Sequence, residues 1–177
     1  LQDAGLGCPD WPRCYGFAIW PKTAEQISQA EALFPDSPYE HAKAWPEVVH
    51  RYFASSLGFL IILINAVAWR NRHNNHQPLK LPLFLLVLVI AQGIFGMWTV
   101  TLKLWPQVVT THLLGGFATV NLLWLLGLRL SQRAWPQPAH VMNWKKLRPL
   151  AMVGLILVVA QIALGGWTSS NYAALAC

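Results

Sequence analysis

Hydrophobic and polar positions along the chain separate into four long apolar runs, Val48–Trp69, Leu81–Thr101, Val108–Leu130 and Leu150–Trp167. Each holds roughly 18 to 23 residues, enough for a helix to cross about 30 Å of hydrocarbon at about 1.5 Å per residue. Proline stands near the start of every run, at Pro46, Pro82, Pro106 and Pro149. There its missing N–H costs nothing and its fixed φ suits a first turn. The pattern predicts an all-α, polytopic membrane bundle with defined helix entry points.

Composition and charge sharpen this picture. Apolar residues make up 55% of the 177 positions and charged residues only 11%, against about 25% charge in soluble domains. All seven acidic residues precede Val48, while basic residues crowd into two later loops, Arg70, Arg72 and Lys80 in one and Arg129, Arg133, Lys145, Lys146 and Arg148 in the other. Positive-inside asymmetry places both loops in the cytoplasm. The division expected is an outward-facing loop over 1–47, three spans within 48–130, a cytoplasmic loop over 131–149, a span over 150–168 and an outward segment from 169 to 177. The basic balance is explained by topology, so no nucleic-acid partner is expected. Of the ten tryptophans, Trp45, Trp69, Trp98, Trp105 and Trp167 fall near helix ends, as an aromatic belt requires.

The chain also carries a long internal period. Ala4-Gly-Leu-Gly-Cys8 returns as Ala173-Ala-Leu-Ala-Cys177, Trp45-Pro-Glu-Val-Val-His50 is echoed from Trp105 to His112, and Gln92 to Thr99 is echoed by Gln161 to Thr168. Internal periods report how a fold was assembled; a spacing this long carries a whole group of helices. There is no initiator Met and nothing resembling a signal peptide, so a fragment of a longer chain is expected, with a partner for Cys177 beyond its end.

Chemistry gathers at two places. The polar segment contains Cys8-Pro-Asp-Trp-Pro-Arg-Cys14, a stiff loop that a disulfide could pin in an oxidising compartment. The spacing is neither the Cys-x-x-Cys of thioredoxin-like sites nor a zinc pattern. A tie that only holds the loop and a pair that passes electrons both fit. Glu47, His50 and Arg51 open the first apolar helix and His112 lies inside the third. Ionisable groups at membrane depth are costly and need partners.

Glu47 and His50, at i and i+3, share a face. Both helices run inward from the outer surface, and counting from Pro46 and Pro106 sets the two imidazoles at depths within about 3 Å of each other. Two level imidazoles on neighbouring helices suit the two faces of an iron porphyrin. Gly115 and Gly116, on the face of His112, would admit a flat macrocycle. Glu47 suits either proton exchange beside such a ligand or orientation of His50. Arg51 or Lys103, near the outer surface, could meet porphyrin propionates. His41, His73, His76 and His140 sit among polar neighbours and are expected to be solvated.

Together, residues 4–14, Glu47-Val-Val-His-Arg51, Gln92 to Lys103, Thr111-His-Leu-Leu-Gly-Gly116 and Gly165 to Asn171 resemble the heme A synthase family. That resemblance implies an eight-helix membrane enzyme of two similar four-helix halves, of which this chain would be the N-terminal half plus a fifth helix. It implies oxidation of a ring methyl of heme O to a formyl group, giving heme A for terminal oxidases. It also implies His50 and His112 as ligands of the haem iron on the substrate side, Glu47 in a catalytic part and Cys8 and Cys14 as the outer-loop cysteine pair. Heme b is implied in the other half, and heme O synthase and an electron donor are implied partners beside the lipid bilayer. A bacterial inner membrane, with residues 1–47 on the periplasmic side, is the expected location. Two rivals remain: a bis-histidine cytochrome that only transfers electrons, and a membrane thiol oxidoreductase working through Cys8 and Cys14.

Overall fold

The computed structural model describes residues 6–73, 78–131 and 144–171, with backbone alone at 144–146. The echoes at Ala4 and Ala173–Cys177, and His76 and His140, lie outside them. Five helices follow one another: α1 (Ala24–Leu33), α2 (His41–Arg70), α3 (Lys80–Thr101), α4 (Pro106–Leu130) and α5 (Trp144–Ser170). The last four each contain a stretch long and apolar enough to cross a bilayer. The chain is an integral membrane protein with a helical bundle. Its outer faces carry large apolar side chains such as Phe53, Phe59, Val120, Trp124 and Leu155, all more than half exposed, which suits lipid as solvent rather than water. The tryptophans assigned to helix ends, Trp45, Trp69, Trp98, Trp105 and Trp167, are exposed as well.

Two helices begin earlier than the apolar pattern indicates. α2 starts at His41 rather than Val48, and α5 starts at Trp144 rather than Leu150. Pro82 and Pro106 do occupy first turns, whereas Pro46 and Pro149 are each the sixth residue of their helix. A proline there forgoes one bond to the carbonyl four residues back, and so close to a helix end water can satisfy that carbonyl. The segment 1–47 is therefore not loop throughout: it contains α1 and the first turns of α2. α1 is started by a capping box in which Thr23 accepts from the Gln26 amide and the Gln26 side chain accepts from the Thr23 amide.

Residues 6–40 fold into a polar cap over the start of α2. Its core is Cys8, Cys14, Tyr15, Ala30, Ala44 and Val48, with Phe17, Trp20, Phe34 and Tyr39 packed against it. The chain reverses at Tyr15 (φ 55°) and Gly16 (φ 80°), where Cys14 and Phe17 exchange both backbone hydrogen bonds. Two consecutive left-handed residues form the tight turn whose twist suits a hairpin. Its cost at Tyr15 is offset by Asp10, whose carboxylate accepts from the amides of Tyr15 (2.6 Å) and Gly16 (2.9 Å).

Tyr15 stands edge-on to Phe34 and Tyr39 and donates to the Pro38 carbonyl. Burial pushes its phenol from the usual 10.0 up to about 12, with Glu40, Tyr39, Glu47 and Asp10 adding to the shift in that order. Because the folded value lies above the unfolded one, the stabilisation is complete below pH 10 and is lost as pH rises through 12. An ultraviolet titration of tyrosinate is expected to show a late component near pH 12 that Tyr15→Phe removes.

The spans pack in a row: α2 on α3, α3 on α4, α4 on α5. Away from the cap, Ile61, Leu81, Leu85 and Leu126 form a second core across α2, α3 and α4. Asn65 crosses from α2 to α3, donating to the carbonyls of Ile61 and Pro82, both at 2.9 Å. An amide in hydrocarbon has to be paired, and this one fixes the register of two helices.

Candidate functional site

The cap is fastened to α2 by two side chains one helical turn apart. Cys8 and Cys14 are joined by a disulfide of 2.03 Å, both residues almost wholly buried. One oxygen of Glu47 accepts from the backbone amides of Gly7 (2.8 Å) and Cys8 (3.1 Å), and the other pairs with Arg51. The Arg51 guanidinium also donates to the carbonyls of Asp10 (3.1 Å), Pro12 (3.4 Å) and Arg13 (2.8 Å). Starting α2 at His41 puts Glu47 and Arg51 at i and i+4 on the helix face beneath the loop.

A hydrogen bond from Glu47 to His50 would orient the imidazole, but the partners of Glu47 among the described residues are Gly7, Cys8 and Arg51. The physical reason is that two loop amides and a guanidinium hold the carboxylate toward the loop. Arg51 is likewise committed to the loop rather than free to meet a ligand's anionic groups. Lys103 stays exposed, in the α3–α4 turn, where it and Leu104 adopt left-handed backbone with φ of 48° and 57°.

Gly7 explains how the loop comes so close. A Cβ there would run into the Lys43 carbonyl, which is backbone and cannot step aside. Gly7→Ala is expected to lift the loop from α2, raising cleavage of the cap by added protease at least severalfold, while α2–α5 keep their helical circular dichroism.

The second half of the site lies deeper. His112 is half-buried on α4, and its ring rests on Gly96 of α3, where a Cβ would sit 3.4 Å from Cε1 and 3.8 Å from Nε2. Its Nδ1 is buried and has no hydrogen-bond partner. His50 is exposed on α2. α2 and α4 both pack on α3. The two imidazoles therefore stand on helices that share α3 as a neighbour.

The glycines divide differently from the sequence expectation. Space beside Gly115 is taken by the Gln92 amide, which a Cβ would overlap, whereas Gly116 and Gly93 have nothing within 4 Å of where a Cβ would be. Gly116 and Gly93 leave room; Gly115 seats Gln92. Gln92 on α3, with Gly96 one turn on, is the contributor that sequence reasoning missed. Their positions in the Gln92-Gly-Ile-Phe-Gly96 stretch gave a signal, but only the α3–α4 contact shows which glycine faces His112. His41, expected to be solvated, is exposed but also bonded through Nδ1 to the Tyr39 hydroxyl at 2.9 Å and set edge-on to Trp20.

The site therefore offers a half-buried imidazole seated between α3 and α4, a second imidazole exposed on α2, and a carboxylate held by a disulfide loop at the start of α2. Against known proteins, the family model described as cytochrome oxidase assembly protein, COX15-CtaA, matches residues 1–177. The heme A synthase of Shewanella oneidensis is 51% identical over 178 residues, an alignment covering all of this chain and 52% of the relative. The chain thus spans about half the length of that relative. No solved structure matches. With the family model matched from end to end and half the residues shared with that relative, the chain belongs to the COX15-CtaA family of cytochrome oxidase assembly proteins.

Proposed function

We propose that this chain is the substrate-holding half of an enzyme that oxidises one ring methyl of heme O to a formyl group, giving heme A. The observation that carries the reading is His112. Its ring is seated on a glycine and its Nδ1 is buried without a hydrogen-bond partner. This occurs in a chain half identical to a heme A synthase. His50 and His112 would supply the imidazole nitrogens that hold a haem's iron. His50 on α2 and His112 on α4 would hold the macrocycle, with α3 packed against both helices.

Attack on an unactivated methyl requires oxidising strength that side chains lack, and the haem iron supplies it when bound. The protein's own part is to bind, orient and manage protons. His50 and His112 would fix the plane of the porphyrin. Gly96 keeps the His112 ring at its height in the bundle. Glu47, anchored at the loop, would accept a proton released as the methyl is oxidised, acting at the cap edge of the substrate. Lys103, exposed in the α3–α4 turn on the cap side, is the cation available to the propionates.

The setting follows from charge. Basic loops toward the cytoplasm and an oxidised cysteine pair in the cap fit a bacterial inner membrane with the cap on the periplasmic side. Heme O synthase as the source of substrate and a separate electron donor are the partners this chemistry needs.

The test is conversion. Membranes containing the full-length protein are supplied with heme O, and the pigment is extracted and separated. Heme A, with its formyl-shifted spectrum, is expected; recovery of heme O alone would leave an electron-transfer cytochrome as the better reading.

A further inference from the structure

Glu47 and Arg51, on one face of α2, both grip a single small ring of backbone. Glu47 takes the amides of Gly7 and Cys8 at one end; Arg51 takes the carbonyls of Asp10, Pro12 and Arg13 across the remainder. The two side chains pair with each other, and both are about four-fifths buried. Every group they address in the cap belongs to the residues closed by the Cys8–Cys14 disulfide or to the one before it. A convergent set of amides and carbonyls persists only while the loop is short and closed, because opening it restores conformational freedom to each residue.

We propose that Arg51 is a positioning residue that couples the disulfide to Glu47, so that the carboxylate is held at the loop when Cys8–Cys14 is oxidised and released when it is reduced. Linkage makes the coupling reciprocal: if the closed ring favours the clamp, the clamp favours the closed ring by the same factor. Arg51 suits this because its planar fork serves several acceptors at once, which a lysine ammonium cannot match. A cavity of about 160 Å³ between the loop and α2 is lined by Cys14, Arg51 and Tyr52 among others. Opening the ring takes two electrons and two protons from a dithiol. One of its thiolates attacks a cysteine sulfur and breaks the Cys8–Cys14 bond. Its second thiol then displaces that cysteine, so both cysteines leave as thiols and the reagent leaves as its own cyclic disulfide.

The significance of the latch for catalysis rests on the proposed role of Glu47; the coupling does not. The experiment equilibrates the full-length protein, without haem, in graded mixtures of reduced and oxidised dithiothreitol, then alkylates free thiols and counts them by mass. Arg51→Met and Glu47→Gln are each expected to shift the equilibrium toward the dithiol by at least about tenfold, because each removes charge-assisted hydrogen bonding from the clamp. The double variant should shift it by less than the product of the two. Arg51→Lys should fall between, and Lys22→Gln, elsewhere in the cap, should change nothing.

Should Arg51→Met fail to fold, amide exchange in the unmodified protein decides. Reduction is expected to speed exchange at Gly7 and Cys8 at least tenfold. An unchanged equilibrium in both single variants, or unchanged exchange on reduction, overturns the proposal. If these shifts appear while heme O conversion ignores Glu47→Gln, the latch stands and the catalytic reading of Glu47 falls.

Discussion

Glu47→Gln in the full-length protein is expected to lower conversion of heme O to heme A by about 10² to 10⁴-fold, the usual range for a positioned acid or base. The bound haem should remain. Glutamine keeps the length of the side chain and a carbonyl oxygen that can still accept from Gly7 and Cys8, so the loop's attachment at that end survives. What it loses is the capacity to take a proton and the ion pair with Arg51. Haem content and haem identity, measured on the same extract, separate the two outcomes. Loss of product with pigment retained places Glu47 in the chemistry. Loss of pigment would mean that it only holds the pocket together.

The second large effect is at His112. His112→Ala should reduce retention of heme O by at least about 100-fold, since even the outer partners of metal ligands are worth about 10 to 100-fold. His50→Ala should cost less. The asymmetry comes from their surroundings: His112 is half-buried, with its ring set against Gly96, whereas His50 is exposed on α2. A side chain already held in one place loses less freedom on binding, so its removal forfeits more of the binding energy. Binding is read from the absorbance of the protein titrated with heme O, at fixed detergent.

Much of the fold was legible because hydrocarbon imposes a simple rule: a span must be apolar and long enough to satisfy its own backbone. The four runs therefore fall inside α2, α3, α4 and α5. Helix starts were less legible. Polar residues His41 to Glu47 carry no membrane signal, and a proline at the sixth position looks like one at the first until the preceding turn is known to be helical. α1 was hidden because it is short and polar, although Thr23 and Gln26 spell its capping box.

The site was legible in its residue types and not in its wiring. A carboxylate three positions before a histidine invites a bond between them, yet Glu47 is claimed by Gly7, Cys8 and Arg51, which are up to 40 residues apart from it in sequence. Contacts across such separations leave no local pattern. Arg51 beside His50 likewise suggested a place for anionic groups, while its actual acceptors are three backbone carbonyls invisible in any sequence. Gly115 and Gly116 read alike one after the other; a rotation of about 100° between neighbours on a helix sends one toward Gln92 and leaves the other open.

The central claim is that His50 and His112 hold one haem between them. The most direct measurement is the electron paramagnetic resonance spectrum of the full-length protein loaded with ferric heme O, alone and as His50→Ala and His112→Ala. The account predicts that loading adds, over the signal the protein gives before heme O is supplied, a low-spin signal that turns high-spin in each variant that still retains heme O. An added signal that is high-spin in the unaltered protein, or an added low-spin signal that survives both substitutions, would contradict it.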